Sequence, residues 1–204
     1  KLCGDFGIMG LPVPEEYDGA GKDIFTTALA IKALSYGCKD EGLVFSICAH
    51  LCTFTIPLVH YGSKEQKDTY LSDVASGKTI GGNGITEAGA GSDNSLMRTT
   101  VEKNNGTFIV NGAKLFVTNG PIADVLVIYA KHPKGMSPAN ISAFIIKKDN
   151  FTVGQHFQKM GLRTSPLCEI LLSDCKLKEC DLLGRERLGM MPFHTSMLWE
   201  RIIM

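Results

Sequence analysis

The groups best able to hold a ligand are concentrated in Gly81 to Asp93, reading GGNGITEAGAGSD: glycines at 81, 82, 84, 89 and 91, the amide of Asn83, and the hydroxyls of Thr86 and Ser92. Glycine permits positive φ and lets backbone N–H groups approach a bound molecule closely, while the hydroxyls both donate and accept. The stretch is neither a Walker A loop nor a GxGxxG dinucleotide fingerprint. Taken alone it has two readings, an ordinary surface turn or a ligand cradle. His50 and His60 are ten residues apart with no carboxylates at metal spacing, which reads as two satisfied core histidines, and no metal is expected. The seven cysteines include no CxxC pair, so reduced thiols in a reducing compartment, the cytoplasm or alternatively the mitochondrial matrix, are expected. Cys48 and Cys52, one helical turn apart, read as small buried hydrophobes.

The elements that must position this stretch follow from periodicity. Residues Leu2 to Gly21 are rich in glycine with prolines at 12 and 14, an irregular segment around Phe6, Ile8, Met9 and Leu11. From Ile24 apolar residues recur at helical spacing up to Gly37, and Asp40 can cap the next helix. That next segment, Gly42 to Tyr61, is apolar almost all round, with Pro57 kinking or ending it. Ser63 with Gln66 spells a capping box for a third helix, Lys64 to Ala75, closed by Gly77. After the glycine-rich stretch the period becomes two. Short runs at Thr99–Val101, Thr107–Val110, Lys114–Thr118, Val125–Ala130, Ile141–Lys147, Thr152–Gln155 and Glu169–Leu172 predict strands, with Asn105-Gly106 and Asn111-Gly112 as hairpin turns of one meander. Pro192 to Met204 predicts the start of another helix. The fold class is therefore α+β multidomain. A helical domain covers residues 1–80, a mostly antiparallel β-barrel or sandwich covers 81–183, and a linker with the start of a further helical domain covers 184–204.

Lys plus Arg and Asp plus Glu both number 21, so the overall charge points to neither nucleic acid nor an anionic membrane as partner. No apolar run approaches membrane-spanning length in this reading, and no cleavable leader opens the chain. Lys1 begins on a loop-like segment and an amphipathic pattern is still developing at Met204, which reads as a piece of a longer protein.

The run YGSKEQKDTYLSDVASGKTIGGNGITEAGAGSD, followed in order by KLFVTNG, GLRTSP, LLGRE and MLWERI, resembles the acyl-CoA dehydrogenase family over essentially the whole chain. That resemblance implies a helical domain, a central β-domain and a C-terminal four-helix bundle, FAD as cofactor, and 2,3-dehydrogenation of an acyl thioester. It implies that Asn83, Gly84, Ile85 and Thr86 lie along the flavin, Gly91 and Ser92 near its diphosphate, Ser92 also bordering the substrate, and Phe116, Val117 and Thr118 over its other face. Phe116 stands where the family usually has tryptophan, and Ala88 where it usually has proline. Ser165 resembles a serine near the pantetheine end of the thioester. The RTSP and SMLWER runs resemble the branch acting on carrier-protein-bound acyl or prolyl groups, which leaves CoA and carrier-protein substrates both open.

Removing a proton α to a thioester carbonyl needs a carboxylate, and the resemblance places Glu200 in that role with Arg201 beside the substrate. Alternatively Glu200 is a surface or supporting acid and the base lies beyond Met204. Glu87 is read as supporting the glycine-rich stretch. Leu198 and Trp199 shape an acyl pocket, or Trp199 is plain core. The resemblance further implies an electron-transfer flavoprotein or oxygen as electron acceptor and homo-oligomers, usually tetramers, when full length. A member that only binds flavin or thioester without catalysis is the reading from a different class.

Overall fold

A computed structural model describes residues 2–135 and 139–204. The chain opens with a short helix, Leu2–Asp5 (α1), and two 3-10 turns, as its glycine content requires. Helix α2, Ile24–Gly37, starts where the Asp23 carboxylate accepts from Thr26 N. The next helical run has three parts: Glu41–Ala49 (α3), capped by Asp40 as expected, a π-helical stretch His50–Thr55, and Ile56–Tyr61 (α4). Pro57 neither ends nor breaks this run. It falls in the first turn of α4, where its missing N–H costs least, and the wider π turn lies just before it. The Ser63–Gln66 capping box is present on Lys64–Ala75 (α5), and Gln66 Nε2 donates to the carbonyls of Cys180 and Leu182, joining this helix to the β-domain.

One sequence expectation is corrected by this run. Glu41–Tyr61 is 21 residues long and its most apolar 18 residues have a mean hydropathy of 1.9, enough by length and composition to cross a bilayer. In this fold 78% of its apolar window is buried by the rest of the protein, the position of a core helix.

The β-domain is one sheet, mostly antiparallel as the sequence predicts, with two parallel pairings and a strand order that is not a simple meander. Its order is β6 (Thr152–His156), β7 (Leu167–Leu177), β3 (Thr107–Thr118), β2 (Thr100–Asn104), β4 (Val125–Lys131), β5 (Ile141–Lys147) and β8 (Leu182–Leu183). The glycine-rich stretch supplies an eighth strand, β1 (Gly81–Gly84), parallel to β4. Its glycines serve close packing first. A Cβ on Gly81 would lie 2.3 Å from the Phe54 ring and one on Gly82 2.7 Å from the Thr118 carbonyl.

Asn105-Gly106 makes the expected two-residue turn, with φ of 48° and 78°. Asn111-Gly112 does not. It lies inside the continuous strand β3 as a bulge against β7, and a Cβ at Gly112 would meet Thr99 Oγ1 at 2.4 Å. Alternation along β4 sends Val125, Val127 and Tyr129 towards the helices and Leu126, Ile128 and Ala130 into the core on the far side of the sheet. The last helix, Met190–Ile203 (α6), packs against the helical domain, with Trp199 in its core and Tyr61 Oη 2.7 Å from Thr195 Oγ1.

Candidate functional site

β1 ends at Gly84 and the chain enters a tight turn in which Glu87 N donates to the Ala90 carbonyl at 2.9 Å and Ala90 N to the Glu87 carbonyl at 3.2 Å. The Glu87 carboxylate turns inward. It accepts from Arg98 N at 2.6 Å and Thr99 N at 3.1 Å, and pairs with Lys114 Nζ at 2.7 Å. Lys114 is fully buried, so desolvation pulls its pKa down to about 8, with Glu87 opposing that fall. For Glu87, burial alone pushes upward, but the Lys114 ammonium and the donated N–H groups outweigh it and hold the carboxyl below its ordinary range. Glu87 thus supports the loop, as the sequence suggested.

A second anchor is His50. Gly81 N donates to Nδ1 at 3.0 Å, so the ring carries its proton on Nε2 and donates to the Val74 carbonyl at 3.2 Å. Complete burial lowers its pKa to about 4, and the neutral ring ties β1 to the π segment and α5. Cys48 and Cys52 are buried as expected, and burial raises both thiol pKa values, that of Cys48 to about 11.

Strand β3 bulges again between Lys114 and Val117, where Leu115 N donates to the Thr86 carbonyl at 2.8 Å. Phe116 takes φ of 56°, a left-handed conformation that a bulky side chain adopts rarely. The bulge turns its ring outward to 56% exposure, where it packs against Phe157 at 5.0 Å between centroids.

These features face one cleft of about 850 Å³. One wall carries Asn83, Ile85, Thr86, Gly91 and Ser92; Phe116 and Thr118 of β3 continue it. The opposite wall is α6, through His194, Met197, Leu198, Glu200 and Arg201. Phe45, Ala49 and Thr53 line the cleft from α3 and the π segment. Sequence reasoning did not single these three out, although their spacing of four marks a single helical face. Glu200 is the one carboxylate among the described residues lining the cleft, and its partial burial pushes its pKa up to about 7.

Four residues tied to ligand binding by sequence lie off this surface. Val117 points into the β-core, and Gly84 sits against the Lys114 side chain. Ser165 is buried beside α3, where its hydroxyl accepts from Ser46 Oγ at 2.9 Å, and neighbouring Thr164 donates to the Asp40 carboxylate. Trp199, 9% exposed, packs in the helical core. It is the core tryptophan of the two readings, because residue 199 falls on the face of α6 turned away from the cleft.

The comparisons with known proteins agree with this architecture. The family model described as "Acyl-CoA dehydrogenase, N-terminal domain" matches residues 1–78, and "Acyl-CoA dehydrogenase, middle domain" matches residues 82–175. The chain belongs to the acyl-CoA dehydrogenase family. Within it, the chain is similar to an L-prolyl-(peptidyl-carrier protein) dehydrogenase of a Serratia species, 41% identical over 203 residues covering 98% of this chain and 53% of the relative. Among solved structures it is similar to an FAD-dependent dehydrogenase, with a TM-score of 0.95, 41% identity, and coverage of 98% of this chain and 55% of that one. A prolyl acyl carrier protein oxidase, AnaB, superposes with a TM-score of 0.92 at 39% identity, covering 98% and 53% of the two chains. The chain spans about half the length of the curated relatives it matches.

Proposed function

We propose that the cleft binds FAD and an acyl thioester, and that the full-length protein introduces a 2,3-double bond with Glu200 as general base. The observation carrying this reading is that one cleft joins the loop hydroxyls, an outward-turned aromatic ring and a single carboxylate. The residues suit a flavin. Thr86, Thr118 and the loop N–H groups offer donors to a polar ring edge, Phe116 offers an apolar cover, and the open Gly89–Ser92 turn leaves space for phosphates.

Bound FAD supplies the two-electron oxidant that accepts the β-hydride. On the protein side, the Glu200 carboxylate receives the α-proton, and a pKa near 7 suits a base working near neutrality. Donors from Thr86 and the backbone near Ile85 are fixed by the Glu87–Lys114 pair, so they need no reorganisation as charge develops opposite them. Met197, Leu198 and Phe45 exclude water from the reacting carbons, and Arg201 sets a cation at the same wall. Ser92 borders both ligands. Gly84 and Val117 act from behind the surface, by shaping the strands that carry it.

The names of the relatives favour one substrate class within this reading, a prolyl group on a peptidyl carrier protein. Electrons leave to an electron-transfer flavoprotein or to oxygen, from a homo-oligomer in the cytoplasm. The test is anaerobic bleaching of bound FAD in the full-length protein by a panel of CoA and carrier-protein thioesters. Bleaching by prolyl-carrier thioester alone selects the second substrate class. No bleaching by any thioester overturns the catalytic reading in favour of a binding protein.

A further inference from the structure

Two hydroxyls behind the cleft have no partner among the described residues: Tyr129 Oη and Ser196 Oγ, each on a residue that is 0% exposed. A buried hydroxyl left unsatisfied is disfavoured strongly enough that native proteins almost always give it a protein or water partner. The two belong to one neighbourhood. Tyr129 of β4 sets its ring edge-on to Phe193 of α6, 5.7 Å between centroids. Ser196 is the next residue along that helical face, three after Phe193, and Glu200 follows four further on. The tyrosine therefore lies along the strip of α6 that leads from Phe193 past Ser196 to Glu200, and the Glu200 charge acts on its buried hydroxyl.

We propose that Tyr129 and Ser196, through one buried water, donate to the Glu200 carboxylate from behind and position it toward the cleft. The three groups give that water the two to four polar partners it needs. This makes Tyr129 and Ser196 positioning residues, acting through Glu200. The role of Glu200 as base rests on the function proposed above; the hydrogen-bonded cluster does not.

The device has a definite sign. Donors aimed at a carboxylate favour its ionised form, so they oppose the desolvation that raises Glu200. Other titratable groups on the surrounding elements do not take that part. Lys32 and Tyr36 on α2, Glu41 and Cys48 on α3, His60 and Tyr61 on α4 and Lys147 on β5 are the titratable groups of those elements, and the cause of the Glu200 shift is burial. Cys52 of the π segment feels the Glu200 charge, and its own raised pKa keeps it a neutral thiol. His194 and Arg201 share the cleft on its open side.

The experiment is an infrared pH titration of the full-length protein, following the carboxyl band that disappears in Glu200→Gln. Tyr129→Phe removes one donor and is expected to raise the titration midpoint by about one pH unit, tenfold in the ionisation constant. Ser196→Ala is expected to shift it in the same direction, which keeps the test available should Tyr129→Phe fold poorly. A merely structural tyrosine would leave the midpoint alone, so unchanged midpoints in the folded variants overturn the proposal. Flavin bleaching recorded on Glu200→Gln separates the two claims. Bleaching that persists removes Glu200 as base, while the infrared midpoints still decide whether the hydroxyls hold it.

Discussion

Glu87 and Glu200 serve the cleft from opposite sides and differ in almost every physical respect. Glu87 is surrounded: a buried ammonium at 2.7 Å and two backbone N–H groups donate to its carboxylate and keep it ionised. The Glu200 carboxylate has no direct hydrogen bond or ion pair to a described residue, and burial raises its pKa to about 7. The first arrangement spends the charge of the carboxylate on rigidity, because an acid that is buried off the cleft lining and held by three donors is not presented to a substrate. The second leaves the carboxylate reactive at the expense of stability. In the proposed function the wall built on β1 and β3 is therefore the holding wall and α6 the reacting wall. A pKa raised by burial, with no charged group paired to the carboxylate among the described residues, in a cleft, is what distinguishes Glu200 from Glu87.

The contrast is sharpest under substitution. Glu200→Gln is expected to slow flavin reduction by about 10²- to 10⁴-fold while leaving FAD bound, measured by stopped-flow bleaching and by the flavin-to-protein absorbance ratio. Loss of flavin with loss of rate would place Glu200 on the holding wall instead. Lys114→Met should do the reverse, stranding the Glu87 carboxylate in the interior. Removing one partner of a buried pair costs about 3–5 kcal/mol, so urea unfolding should show a large loss of stability and weak flavin retention. Replacing both partners, Lys114→Met with Glu87→Gln, which removes both charges and keeps an acceptor for Arg98 N and Thr99 N, should recover part of that stability. If the double variant is no better than the single one, the pair is not the anchor of the loop.

pH separates the walls with opposite signs. Glu87 has a folded pKa below its unfolded value of about 4.3, so its contribution to stability is present above that pH and is lost as pH falls through the folded pKa. Glu200 has a folded pKa of about 7, above its unfolded value, so the folded state loses stability as pH rises between about 4.3 and 7. The rate of α-proton removal should rise over that window, about tenfold per pH unit below the midpoint. Glu200→Gln should therefore raise thermal stability at pH 8 but not at pH 4, read by differential scanning fluorimetry. Equal effects at both pH values would break the assignment.

Much of this was legible in local chemistry. The Ser63–Gln66 box, the Asp40 cap and the Asn105-Gly106 turn each depend on neighbours within four residues, and each is present. Asn111-Gly112 repeats the same dipeptide and forms a bulge, because what decides it is Thr99 lying across from Gly112. Likewise the glycines of β1 read as ligand space, whereas Phe54, 27 residues earlier than Gly81, explains the first of them. At the site, family motifs singled out Glu200, Arg201 and Asn83, Ile85, Thr86, Gly91 and Ser92 of the glycine-rich stretch, which line one cleft. Ser165 and Trp199 lie off the cleft surface, and motif order carries no information about which face of an element a side chain occupies. The stripe of Phe45, Ala49 and Thr53 was available from helical spacing alone.

The smallest expected effect tests whether Phe116 belongs wholly to the holding wall. Its left-handed backbone, φ 56°, is a conformation that costs an ordinary side chain about 1–2 kcal/mol and suits asparagine far better. Phe116→Asn should therefore keep the bulge, and with it the 2.8 Å bond from Leu115 N to the Thr86 carbonyl, while removing the ring from the cleft. Loss of stability should be slight, since the ring is more than half exposed and relief of strain offsets its lost contact with Phe157. Flavin affinity should fall about three- to tenfold, the scale of one aromatic contact. The midpoint of the pH–rate profile should not move, because Glu200 stands on the other wall. Fluorescence titration of FAD and that profile together check the prediction: a shifted midpoint would mean that the two walls communicate through the bound ligand rather than acting independently.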